Sequence, residues 1–258
     1  MTNIYIPRWR SALQVWRRNS LVWRRLVVPS LVINFGEPFI YLLGLGYGLG
    51  MFIGDMMNMP YLTFVATGIL ASSAMNVSSF EAMFSVYTRM VPQRTYEAIL
   101  ATPVDVQDVL AGEMLWCATK ALINATGILA VAALLGAVHS WTAVFAIPVI
   151  FLTGLCFAGP GMVMTSLAHG YDFFNYYVTL LLTPMFILSG VFYPVSSLPT
   201  ALQTVVQFLP LTHAVDLIRP LVAGQPVTNA PLHLAVLLAY AAAGYLISVR
   251  LIRKRLLV

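Results

Sequence analysis

Three residues at steps of three, His213, Asp216 and Arg219, put a base, an acid and a cation on one helical face. Such a trio could orient a proton transfer, but the chain supplies no nucleophile or metal for it to serve. It has no H-E-x-x-H, no G-x-S-x-G and no cluster of metal ligands, so the trio reads as a polar stripe or a local ion pair. His169 stands alone and does not suggest a metal. Nucleotide hydrolysis is equally unsupported. The G-x-x-x-x-G-K-[ST] loop is missing, and the one lysine before the C-terminal tail, Lys120, lies in CATKALI. The remaining chemistry belongs to ionisable groups inside apolar runs: Glu37, Glu81 and Lys120. Charge within a bilayer is costly and points to function, and these three could be ion or proton sites of a secondary transporter or channel that works without an ATPase. Two of them also have a plainer reading, with Glu81 at the interface and Lys120 snorkelling back to it, while Glu37 should face the bundle interior, water or a partner chain. No repeat links the two halves of the chain, which weighs against the secondary transporter.

These residues are set in a chain of 258 residues that is 60% apolar and only 9% charged, the composition of a polytopic membrane protein. Spans of about 20 residues leave room for one domain, 1–258, of six transmembrane helices and no soluble domain. The expected fold is all-α. An N-terminal amphipathic interfacial helix covers 1–27, with Trp9, Leu13, Trp16, Ser20, Trp23 and Val27 at steps of four and three and arginines between them. Interfacial tryptophan and anionic lipid account for this arginine cluster better than nucleic acid does. Spans one to five fill 28–192, at about 28–52, 61–86, 108–137, 141–168 and 173–192. Pro148 and Gly159-Pro160-Gly161 are expected to break the fourth. Gly44 with Gly48 and Gly46 with Gly50 offer small-residue helix contacts in the first. Prolines 194, 199, 210 and 220 cut 193–224 into pieces too short to cross, read as outward re-entrant helices, and 231–249 forms span six. Cys117 and Cys156 fall in apolar runs and read as core residues.

One polar island interrupts the first half, Arg89 to Glu113, and it holds four of the nine acids: Glu97, Asp105, Asp108 and Glu113. Pro92 and Pro103 bracket a short helix at about 94–101. The island is either a solvated connector or the place where the protein is pushed. Orientation follows from basic residues. With six spans, both termini, the 89–107 connector and the 169–172 link share one side and hold twelve of the fourteen Lys and Arg; only Arg219 lies opposite, so that side is cytoplasmic.

Four blocks carry a resemblance: 17–50 (RRNSLVWRRLVVPSLVINFGEPFIYLLGLGYGLG), 73–104, 171–194 (YDFFNYYVTLLLTPMFILSGVFYP) and 209–221 (LPLTHAVDLIRPL). Together they resemble the permease subunit of ABC-2 type ABC transporters, most closely its nodulation protein J branch, whose members export lipo-chitooligosaccharides. The resemblance implies a multi-pass bacterial inner-membrane protein, a homodimer bound to two copies of a separate, nodulation protein I-like ATPase. This chain would hold no cofactor; ATP and Mg belong to that partner. By position, the family's coupling helix falls on Arg94, Tyr96, Glu97, Leu100, Thr102, Pro103, Val104, Asp105 and Asp108, with Glu113 just beyond. The seam between the first and fifth spans makes Asn34, Glu37, Tyr41, Tyr176, Tyr177 and Thr183 the expected substrate path for a glycolipid, lipo-oligosaccharide or other amphiphile.

Overall fold

A computed structural model describes residues 6–256. The side chains of 31–35 and of Glu37 are outside that description, so the expectations for Asn34 and Glu37 lie outside the described residues. Helix follows helix: α1 (Trp9–Trp23), α2 (Val27–Tyr41), α3 (Tyr61–Met90), α4 (Thr95–Leu100), α5 (Val106–Leu134), α6 (Trp141–Leu167), α7 (Phe173–Leu188), α8 (Thr200–Val206), α9 (Pro210–Ala223) and α10 (Ala230–Leu256). α2 runs on through a wide π-type stretch, Leu42–Leu49, and a last turn, Gly50–Ile53. The only strands among the described residues are β1 (Asp55–Met56) and β2 (Met59–Pro60), a two-residue antiparallel clip before α3.

Among the described residues four helices, α3, α5, α6 and α10, are long and apolar enough to cross a membrane, or five spans if α8 and α9, bent by 87°, count as one. The sequence expectation of a first and fifth span meets two shorter apolar helices, Pro38–Ile53 and Phe173–Leu188. α3 is the axis of the bundle: its apolar stretch is 89% buried, against 28% for α10. α5, α6 and α9 all pack on it, and α10 packs on α6.

The fourth span is not broken as its prolines and glycines suggest. α6 is continuous through Pro160, and Pro148 sits in the first turn of its α-helical part, Ala146–Leu167, after a 3-10 start at Trp141–Phe145, where the missing N–H costs little. Gly159 serves a different end: a Cβ there would lie 2.8 Å from the Gly244 Cα, so the pair lets α6 and α10 touch backbone to backbone. Of the four glycines of the first span, Gly46 is in close contact, with Leu62, while Gly44 and Gly48 face open space.

α1 is amphipathic, but the face it buries is rotated from the one its tryptophans mark. Ala12, Val15 and Asn19 lie against α5, whereas Trp9 and Leu13 are exposed. The reason is local. Gly112 of α5 lets the Ala12 carbonyl and the Val15 side chain come close, and polar groups fix the register. Trp16 Nε1 donates to Thr119 Oγ1 at 3.0 Å.

Candidate functional site

The connector begins where α3 ends. Arg94 takes a left-handed conformation (φ 50°) and turns the chain into α4, whose exposed face carries Arg94, Glu97 and Ala98. α4 stops at Leu100. The chain then turns through Thr102 and Pro103, and Asp105 starts α5 through a reciprocal capping box with Asp108. The stretch from 94 to 108 is therefore two helical pieces, the short helix expected at about 94–101 and the start of α5, because Pro103 brings no N–H and Asp105 offers the next helix a better start.

The expected coupling residues divide by exposure. Arg94, Glu97, Thr102, Pro103 and Asp105 are exposed, and Leu100 and Val104 are half-buried. Tyr96, Asp108 and Glu113 are buried and face inward. Burial, reinforced by the Glu113 carboxylate, raises the Tyr96 phenol well above its ordinary pKa, so it stays protonated. Its hydroxyl lies beside the Glu113 carboxylate without a well-formed hydrogen bond to it.

Asp108 is the anchor of a clamp. Arg8 donates from its backbone N to Oδ1 (2.6 Å) and from Nε and Nη2 to Oδ2 (3.0 and 2.8 Å), while Nη2 also reaches the Pro103 carbonyl (2.7 Å) and the Asp105 carboxylate (3.2 Å). The first turn of α1 is thus tied to the exit of the connector.

Glu113 belongs to a second, deeper set. Arg89 Nε and Nη2 hold its two carboxylate oxygens at 3.0 and 2.7 Å, and Asn19 Nδ2 donates to it at 2.8 Å. Arg89 also contacts Glu81 at 3.3 Å. Glu81 accepts from Lys120 Nζ (2.8 Å), Trp116 Nε1 (3.0 Å) and Ser85 Oγ (2.8 Å). Two carboxylates meet two cations, the composition that makes buried charge tolerable. Lys120 accordingly does not snorkel, and Glu81 is no free interfacial acid; each is the other's partner. The set joins α1, α3 and α5 where the connector leaves the bundle.

Two cavities flank this set. One, of about 630 Å³, reaches from Glu81 and Lys120 along α3 past Asn76, Ser72 and Ile69 to Tyr41 and Phe186. The other, of about 480 Å³, lies between α1 and α3, with Arg18, Trp23, Arg89, Trp116 and Lys120 in its walls.

Of the expected path residues, Tyr41 lines the larger cavity and packs edge-on against Phe186 at 5.9 Å, so α2 and α7 do meet there. Tyr176 and Thr183 instead lie on the outer face of α7, and Tyr177 is buried. Ser72, Ser73 and Asn76 line the cavity unforeseen. Asn76 sits in an apolar run with two serines and a later glutamate, a signal that only becomes a site when α5 brings Lys120 opposite.

The His213, Asp216 and Arg219 trio does not form an ion pair. Arg219 is buried over the Phe64 ring, 3.7 Å from its centroid, and donates to Thr67 Oγ1 (3.1 Å) and the Gly190 carbonyl (2.7 Å). His213 pairs with His233, Nδ1 to Nδ1 at 2.7 Å, and Asp216 is exposed. Among the described residues no three His, Cys, Asp or Glu come together as a metal site.

Residues 2–223, most of the chain, match the family described as ABC-2 type transporter. The chain belongs to that family. Nodulation protein J of Rhizobium leguminosarum bv. viciae is 47% identical to this ABC-2 protein over 245 residues, covering 95% of each. Nodulation protein J of Rhizobium meliloti (strain 1021) is 45% identical over 245 residues, 95% of this chain and 94% of the relative. The inner membrane transport permease YadH of Escherichia coli (strain K12) is 27% identical over 252 residues, 95% and 96% of the two chains. The ABC-2 protein is therefore a multi-pass membrane protein of the transport-permease type.

Proposed function

We propose that this chain is the membrane half of an ATP-driven exporter in the bacterial inner membrane, moving a glycolipid, lipo-oligosaccharide or similar amphiphile. Two copies, each with six spans and both termini in the cytoplasm, would pair with two copies of a nodulation protein I-like ATPase that holds ATP and Mg. The observation that carries this reading is the wiring of the connector. A short exposed helix, α4, sits between the ends of two spans, and Arg89, Glu113 and Asn19 tie those ends to α1. A push on α4 reaches three helices at once, because buried charge pairs resist being pulled apart one by one. The resemblance to the nodulation protein J branch implies an amphiphilic cargo, and the larger cavity, with apolar walls and a few hydroxyl and amide groups, suits one.

In this reading the docking face is Arg94, Glu97, Leu100, Thr102, Pro103, Val104 and the exposed edge of Asp105, while Tyr96, Asp108 and Glu113 transmit rather than touch. Asn34, Glu37, Tyr41, Tyr176 and Thr183 would line the path or the seam with the second copy, and the buried Tyr177 would support them. Co-purification with an ATPase and vanadate-sensitive export test the assembly. Glu97→Arg with Thr102→Arg tests the docking face: the variant should insert normally, bind the ATPase at least about tenfold more weakly and lose export. Undiminished export with full ATPase binding would overturn it. The secondary-transporter alternative predicts export by this chain alone under a proton gradient, and the pairing of Glu81 and Glu113 with Lys120 and Arg89 leaves it no free acid in this set.

A further inference from the structure

The 480 Å³ cavity between α1 and α3 is not neutral. Arg89 and Lys120 in its walls are matched by Glu81 and Glu113, two charges against two. Arg18, also in the wall, pairs with no carboxylate among the described residues; its one described hydrogen bond runs from Nη1 to the neighbouring Asn19 amide oxygen at 3.1 Å. A guanidinium carries five donors, and an ammonium three, of which Lys120 uses one on Glu81. The cavity therefore has one cationic charge in excess and donors left to give, with Trp23 and Trp116 as its aromatic flank.

Glu81, Phe84, Ser85 and Lys120 form the wall this cavity shares with the 630 Å³ cavity. Charge changes across that wall. The connector side adds Arg18 and Arg89, among apolar neighbours such as Val22 and Leu26; the other side adds no charge, with Ser72, Ser73 and Asn76 beside Ile69, Phe80 and Phe186. Both volumes fall in the range of small-molecule sites, roughly 300–1,000 Å³. We infer that the two cavities are one bipartite site for an amphiphile with an anionic headgroup: the phosphate or other oxyanion against Arg18 and Lys120, the alkyl chain along α3 toward Tyr41 and Phe186. The site deepens the export reading but depends on it only for the transport step after binding, since the headgroup is read by this chain alone.

The test uses the full chain, delipidated in detergent, with lipid counted by native mass spectrometry. Phosphatidylglycerol should bind at one per chain. Phosphatidylcholine of the same chain length should bind at least about tenfold more weakly, the loss expected for a missing charge-assisted contact. Arg18→Gln should bring phosphatidylglycerol down to the phosphatidylcholine level, while Arg18→Lys stays within about threefold of the parent because the charge remains. Asn76→Trp, which fills the apolar cavity, should erase the advantage of long-chain over short-chain phosphatidylglycerol and leave the short-chain affinity alone. Equal binding of the two lipids, no effect of Arg18→Gln, or inorganic phosphate binding as tightly as phosphatidylglycerol would each overturn the site. An export failure for want of an ATPase would leave all these binding results standing, so the two readings fail separately.

Discussion

The two ends of the bundle hold their charges in opposite ways. At the connector end, Arg8, Arg89 and Lys120 are met by carboxylates: Asp108, Glu113 and Glu81. At the other end the buried Arg219 is met by a hydroxyl, carbonyls and a ring, and the nearby histidines bond each other. Carboxylate pairing is strong only in one geometry and penalises partial separation, so it suits helices that must move as a unit. Carbonyl and ring contacts are weaker, and a guanidinium can exchange one such acceptor for another. The connector end is held by paired charges, the far end by exchangeable acceptors.

The largest effect should come from Glu113→Ala, which leaves Arg89 with Glu81 alone and strands the Asn19 amide. Losing one partner of a fully buried pair should cost about 3–5 kcal/mol, read as a lower thermal midpoint in detergent. Arg219→Ala frees two carbonyls and a hydroxyl without stranding an opposite charge, and should cost about 1–3 kcal/mol. Equal losses in the two variants would break the contrast between the ends. Arg8→Gln removes a half-exposed guanidinium while its backbone N–H still caps Asp108, so about 1 kcal/mol of stability is at stake. Its sharper readout is protease protection of α1, which should fall while that of α5 holds.

Tyr96→Phe should be the mildest, within about 0.5 kcal/mol near neutral pH, because the hydroxyl removed makes no well-formed hydrogen bond to the Glu113 carboxylate beside it. Its pH signature has a definite sign. The folded pKa lies above the ordinary 10.0, so the parent's stability from this group is full below that value and is lost as pH rises beyond it. The variant should lack that share of the alkaline loss in thermal midpoints measured from about pH 8 to 11. An unchanged alkaline limb would place Tyr96 outside the buried set.

Hydropathy made the long spans legible to within a few residues: 61–86 against Tyr61–Met90, and 231–249 against Ala230–Leu256. It did so because the cost of leaving backbone groups unpaired in lipid is paid locally, residue by residue. Prolines and glycines were less legible. Gly159-Pro160 looks like a break in one dimension and is a contact surface in three, since a missing N–H matters less to a helix than a neighbour that needs the space.

The charged residues divide along the same line. Their number and their concentration at one end were fixed by the order of amino acids, as was the exposed, proline-bracketed helix at 95–100. Which acid meets which base was not. Glu81 and Lys120 are thirty-nine positions apart, and Arg8 and Asp108 a hundred. No local preference spans such distances; only the packing of α1 and α5 against α3 brings those groups within hydrogen-bond reach. That packing gathers Glu81, Arg89, Glu113 and Lys120 into one neutral set of four charges and leaves Arg18 facing a cavity.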